Sequence, residues 1–128
     1  MEELFPQSLR RTLVELRRTL HRYPELSGKE ERTAAALHAA LARIEPGPAR
    51  LERVAGTGVV ARIPGRDGSR APVAVRGDID ALPISESTGL SFASEHPGVM
   101  HACGHDVHAT GRWARRTCWR RVPPRATC

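Results

Sequence analysis

The sequence predicts a layered α/β domain. Two observations carry that expectation. The N-terminal third holds two stretches with apolar residues at helical spacing, and the next third holds two short β-branched runs bounded by proline and glycine. The second run, Pro72-Val73-Ala74-Val75-Arg76, is continuously apolar. Such runs belong to strands covered on both faces. Helices followed by strands around an apolar centre suggest a sheet with helices packed on it. At 128 residues the chain is one domain's length.

The elements follow in order. Leu9, Leu13, Leu16 and Leu20 repeat at i, i+4, i+7 and i+11, which puts them on one face of a helix. This predicts a helix over 8–22, with Arg10, Arg11, Arg17 and Arg18 on much of the remaining surface and Pro24 closing it. A second helix is predicted over 28–44. Ser27 and Glu30 have capping-box spacing, Ala34, Leu37, Leu41 and Ile44 supply the stripe, and Pro46-Gly47-Pro48 stops it. A strand is expected over 58–63, ended by Pro64-Gly65, then a turn over 66–69. The apolar run predicts a central strand over 72–77. Asp78 and Asp80 would leave its C-terminal end, where sites gather in open α/β sheets. The Ser-, Gly-, Glu- and Pro-rich stretch 84–100 reads as a surface loop.

Composition narrows the function classes. Hydrophobic residues make 40% of the chain and aromatics 4%, so the core is expected to be built from Ala, Val, Leu and Ile. No apolar run is long enough to span a membrane. Met1-Glu2-Glu3-Leu4 is not the start of a secretory signal. A cytoplasmic chain with reduced thiols is therefore expected. The net charge of +6 is local. Residues 1–108 carry 14 Lys/Arg and 14 Asp/Glu, whereas 109–128 carry six Arg and no acid. The same tail holds Trp113, Trp119, Cys118 and Cys128. We therefore divide the chain into a domain over 1–108 and an Arg-rich tail over 109–128, expected to be non-native or disordered.

The chemistry concentrates in two clusters. Met100-His101-Ala102-Cys103-Gly104-His105-Asp106-Val107-His108 holds a thiol, three imidazoles and a carboxylate. These are the donor types that hold zinc and similar ions. Gly104 lets a short turn aim Cys103 and His105 at one ion, and both are candidate metal ligands. The plain structural reading, a buried thiol beside a surface histidine, accounts less well for so many donors in one place. His101 and His108 are read as groups that orient a ligand or face water, not as ligands. Asp106 either accepts a hydrogen bond from a ligand histidine or caps the helix that follows; the sequence does not separate these. In the second cluster, Asp78 and Asp80 would share a strand face, and a cation or Arg76 would relieve their repulsion. A polar loop with an Asx turn is the structural alternative. His21 and His38 fall in predicted helices and read as ordinary surface residues.

Together these residues resemble a known family. Leu20-His21-Arg22-Tyr23-Pro24-Glu25-Leu26-Ser27, Gly56-Thr57-Gly58-Val59, Arg76-Gly77-Asp78-Ile79-Asp80-Ala81-Leu82-Pro83-Ile84 and the cluster at 100–108 occur in the order found at the start of metal-dependent amidohydrolases of the aminoacylase type. Ser91-Phe92-Ala93-Ser94 also fits. The closest subgroup includes hippurate hydrolases, indole-acetyl amino-acid hydrolases and N-acetyl-diaminopimelate deacetylases. The resemblance covers about 8–108. It implies the N-terminal part of a zinc-peptidase-like catalytic domain, with a mixed sheet flanked by helices and two divalent ions, zinc or manganese, in one site. It maps Cys103 and His105 onto metal ligands and the Asp78/Asp80 pair onto the active-site aspartate. Related enzymes carry His-x-Asp-x-x-Pro there, and Asp78-Ile79-Asp80-Ala81-Leu82-Pro83 keeps that spacing. The implied reaction is hydrolysis of the amide of an N-acyl amino acid, a small-molecule substrate, with no membrane partner.

The family continues past its last motif histidine with an apolar helix, a Glu-Glu pair supplying a general base and a ligand, and two further ligand histidines. Here no Asp, Glu or His follows position 108. The Arg/Trp/Cys/Pro composition of the tail is what a GC-rich coding region yields in a shifted frame. The expectation is thus a truncated, inactive amidohydrolase. The alternative is a binding module whose six Arg and two Trp grip nucleic acid or an acidic partner.

Overall fold

The computed structural model describes residues 6–43, 49–65, 68–69 and 71–111. The element order is α1 (Gln7–Arg22), α2 (Glu31–Ala42), β1 (Arg50–Val54) and β2 (Gly58–Arg62), followed by a helical stretch over 105–111 that we label α3. Helices and strands combine as the sequence predicts. Among the described residues no helix is long and apolar enough to cross a membrane.

Helix α1 matches the leucine periodicity. Its stripe deepens toward the C-terminal end: Leu9, Leu13 and Leu16 are half-buried and Leu20 is buried. Leu20 packs with Leu37 of α2 and Ala109 of α3, and Leu16, Ala36 and Ile79 lie against that cluster. The core therefore sits where three helices meet, and α3 crosses the boundary predicted at 108. Ala109 and Thr110 are buried. The remainder of the predicted tail, 112–128, lies outside the described residues.

Helix α2 begins at Glu31, later than predicted, and the Ser27/Glu30 capping box does not form. Glu30 accepts the Thr57 hydroxyl at 2.7 Å instead. The cap comes from Glu25, whose carboxylate accepts the N–H groups of Arg32 at 3.1 Å and Thr33 at 2.8 Å, and the Thr33 hydroxyl at 2.8 Å. These N–H groups have no partner within the helix, and a carboxylate there also meets the favourable end of the helix dipole. Glu25→Ala is expected to cost about 1–2 kcal/mol, the scale of a lost helix cap. A thermal melt should show a midpoint about 4–8 °C lower per kcal/mol, and Glu25→Gln should recover part of the loss.

Strands β1 and β2 form an antiparallel hairpin with Val54 opposite Gly58, and α2 packs against both. The sequence predicts β2 but not β1. A Cβ at Gly58 would stand 2.8 Å from the Val54 carbonyl oxygen, so the tight return of the chain requires glycine there.

The predicted central strand over 72–77 does not form. Val73 is 78% and Val75 46% exposed, and 71–80 carry no strand pairing. A strand is completed by hydrogen bonds to neighbours, and no described strand lies alongside. The two-stranded hairpin is the only sheet among the described residues. Pairing resumes just beyond, through isolated bridges of Ala81 with Leu26 and Leu82 with Met100. Ala81 donates to the Glu25 carbonyl at 2.8 Å, and Leu82 and Met100 exchange bonds of 2.9 and 3.0 Å. This short lacing draws the two chemical clusters together. The predicted turn over 66–69 lies partly outside the described residues.

Candidate metal centre

The lacing at 81–82 fixes Asp80, and α3 fixes His105 against it. His105 Nδ1 donates to the Asp80 carbonyl oxygen at 2.9 Å and to Asp80 Oδ1 at 3.0 Å. Nδ1 therefore carries the proton, and the Nε2 lone pair is left for an electrophile. Gly104 adopts φ +80°, a conformation glycine takes without strain. Its carbonyl accepts the N–H groups of Val107 and His108 at 3.0 Å each. The glycine thus turns the chain out of the Cys103 loop and starts the helix that aims His105.

The four predicted site residues do not all converge. Asp80 and His105 meet. Cys103 is a free, exposed thiol at the lip of the same turn. Asp78 turns to Arg76, at 2.5 Å between guanidinium and carboxylate, so its charge is met by arginine. Among the described residues no group of three or more His, Cys, Asp or Glu side chains is arranged to hold a metal ion. The donors present fit one edge of such a site: an accessible thiol and an imidazole of fixed tautomer.

Behind this edge lies a polar cluster that the sequence does not reveal. His21, predicted to face solvent, is 3% exposed. Its Nδ1 lies 2.8 Å from Asp106 Oδ2 and its Nε2 3.1 Å from Glu86 Oε1. Arg17 Nε pairs with the same Asp106 oxygen at 2.8 Å, while Asp106 Oδ1 accepts the Val107 N–H at 2.9 Å. Asp106 thus bonds a helix N–H and anchors α1, and the imidazole it contacts is His21, not His105. Phe92 closes one side, its ring centroid 5.6 Å from that of His21 and 4.9 Å from the Arg17 guanidinium carbon. One signal for His21 was present in sequence: Arg17 and His21 are four apart on the flank of the leucine stripe. His38 is half-buried and His108 exposed.

Burial would raise the Glu86 carboxyl, but hydrogen bonds from the Thr88 hydroxyl, the Ser94 N–H and His21 outweigh it and hold the group below its ordinary value of 4.5. A carboxyl depressed on folding contributes stability fully above its unfolded value and loses it as pH falls through the folded one. Thermal midpoints measured downward from pH 5 should therefore fall less steeply for Glu86→Gln than for the parent chain. His101 is 5% exposed, and neither ring nitrogen has a hydrogen-bond partner among the described residues. Burial pushes its imidazole below the ordinary value, partly opposed by Asp106, and favours the neutral ring. The Arg/Trp surface invoked for nucleic acid begins at 112, outside the described residues.

The chain is similar to proteins of one family. Residues 74–115 match Peptidase family M20/M25/M40. A probable hydrolase of Synechocystis is 50% identical over 104 residues, which are 81% of this chain and 26% of that protein. The N-acetyl-L-cysteine deacetylase of Bacillus subtilis is 48% identical over 103 residues, 79% of this chain and 24% of the enzyme. A crystal structure of a dinuclear metal-binding M20 peptidase from Bacillus subtilis superposes with a TM-score of 0.73 at 39% identity, covering 88% of this chain and 32% of that one. A putative aminohydrolase from methicillin-resistant Staphylococcus aureus gives 0.68 at 34% identity, with 95% and 31% covered. The chain spans about a quarter of the length of the curated relatives it matches.

Proposed function

We propose that this chain, which through residues 74–115 belongs to Peptidase family M20/M25/M40, supplies one edge of the metal site of an N-acyl amino acid amidohydrolase. The observation that carries the reading is the His105–Asp80 pair, with its proton on Nδ1 and Nε2 left for a ligand. Cys103 lies two residues away across the Gly104 turn and adds a thiol donor. Zinc or manganese, two ions per site, is the proposed cofactor. A bound divalent ion supplies a Lewis acid for the amide carbonyl and lowers the pKa of water. The part of this chain is to hold it: Cys103 as thiolate, His105 through Nε2, and Asp80 as the acceptor that fixes the Nδ1–H tautomer and orients the ring. Asp78, which the resemblance also maps to the active-site aspartate, is paired with Arg76. The proposed substrates are small N-acyl amino acids, since the relatives include N-acetyl-L-cysteine and N-acetyldiaminopimelate deacetylases.

Cobalt(II) tests the reading, because a cobalt–thiolate bond absorbs in the near ultraviolet and d–d intensity reports coordination. The purified chain should develop the thiolate band on titration. Cys103→Ala should remove it, and His105→Ala should weaken binding. No band in the parent chain, or an unchanged band in Cys103→Ala, would overturn the assignment.

A further inference from the structure

We propose that His21 is a positioning residue for the His105 donor, acting through Asp106; the inference rests on the metal-site reading above. Both ring nitrogens of His21 face carboxylate oxygens, Asp106 Oδ2 at 2.8 Å and Glu86 Oε1 at 3.1 Å. One carboxylate thus meets each ring nitrogen, and the hydrogen bonds on Glu86 hold its carboxyl below its ordinary value. The ring is thereby pinned at both ends, between the loop that carries Glu86 and the first turn of α3. Asp106 is 1% exposed, and its other oxygen holds the Val107 N–H. Its side chain fixes how α3 is rotated about its axis.

That rotation decides where His105 points. Successive helical residues project ~100° apart. With Asp106 locked inward, the neighbouring imidazole is directed to the Asp80 side, where Nδ1 finds both acceptors. Without His21, Arg17 alone ties Asp106 to α1, through a long side chain that is 29% exposed. The first-turn N–H groups of Val107 and His108 bond the Gly104 carbonyl just ahead of α3, so the seating of that turn follows the loop before it and the Asp106 anchor. His21 neither touches the donor atoms nor faces the substrate. Its effect travels along one buried carboxylate to the adjacent residue.

The tautomer of His105 tests this without metal. In the ¹⁵N-labelled full chain near pH 8, ring-nitrogen correlations should show His105 protonated on Nδ1 and bare on Nε2. His21→Ala should shift His105 to Nε2–H or to a mixture, while the amide dispersion of α1, α2 and the hairpin persists. His21→Gln, whose amide still donates to Asp106, should return part of the Nδ1–H population. A folded His21→Ala chain in which His105 keeps its parent tautomer overturns the proposal, as does a parent chain lacking the Nδ1–H form. Should His21→Ala not fold, Asp106→Asn decides by the same readout: the amide offers one acceptor where two donors compete, so a mixture is expected and an unchanged His105 overturns. Cobalt(II) binding by the same samples is separate. Loss of the thiolate band in the parent chain sinks the metal reading and leaves the tautomer result standing. A band retained in His21→Ala with affinity about 10-fold weaker or more supports both.

Discussion

The 128-residue chain, purified and supplied with zinc or manganese, is expected to release no free amino acid from N-acyl amino acids above a metal-only control. Catalytic zinc normally takes three protein ligands and keeps one open position. Cys103 and His105 are two. Asp80 has its carboxylate committed to His105 Nδ1 at 3.0 Å, and Asp78 is paired with Arg76 at 2.5 Å. No Asp, Glu or His follows position 108, so this polypeptide offers no carboxylate there to take the proton of an attacking water. General base catalysis is worth about 10²–10⁴ in rate, and losing it together with a ligand leaves little to detect. The assay should span N-acetyl and bulkier acyl groups on several amino acids, with product amine measured directly. Metal-dependent turnover that disappears in Cys103→Ala would defeat the expectation and require a general base among the residues before 108.

The part of the proposed site that was legible lies close in sequence. Cys103 and His105 flank a single glycine, and Asp80 is brought beside His105 by the bridges at 81–82. Helix α1 was legible for a similar reason, since four leucines at helical spacing define a face without reference to anything distant. The failures share the opposite property. Val73-Ala74-Val75 has the composition of a buried strand, but a strand is a relation between segments, and the described residues supply no neighbour for it. Strand β1, with Arg50, Glu52 and Arg53 among its five residues, has too little apolar alternation to be seen until its pairing with β2 is known. The capping box was a sound local pattern displaced by a competitor. Glu25 reaches the same N–H groups from outside the helix and releases Glu30 to Thr57. His21 was misread because its partners Glu86 and Asp106 lie 65 and 85 positions away. Nothing in Leu20-His21-Arg22 announces them.

Those distant partners make Asp106 the position where one substitution should do most damage. Its side chain is fully buried and meets three groups on two elements: the Arg17 guanidinium as an ion pair, and His21 Nδ1 and the Val107 N–H at hydrogen-bond distance. Asp106→Ala leaves His21 buried with one acceptor fewer and Arg17 without its anion, and removes the tie between α1 and α3. Breaking a buried ion pair by deleting one partner costs about 3–5 kcal/mol, against about 5–15 kcal/mol for the whole stability of an ordinary domain. The reserve is small among the described residues, whose core cluster is three buried side chains, Leu20, Leu37 and Ala109, with half-buried neighbours. The expected result is loss of cooperative thermal unfolding, or a collapse of the denaturant midpoint, in Asp106→Ala. Asp106→Asn should lose less, since it keeps the shape and one acceptor. Arg17→Ala should lose least of the three, because Arg17 is the less buried partner and its removal leaves Asp106 hydrogen-bonded to His21. The ordering decides between two accounts of the cluster. If Arg17→Ala proves as damaging as Asp106→Ala, the Arg17–Asp106 ion pair holds α1 to α3 and the buried histidine is a bystander. If the three variants fall in the order given, the His21–Asp106 bond is the tie on which the placement of α3, and with it His105, depends.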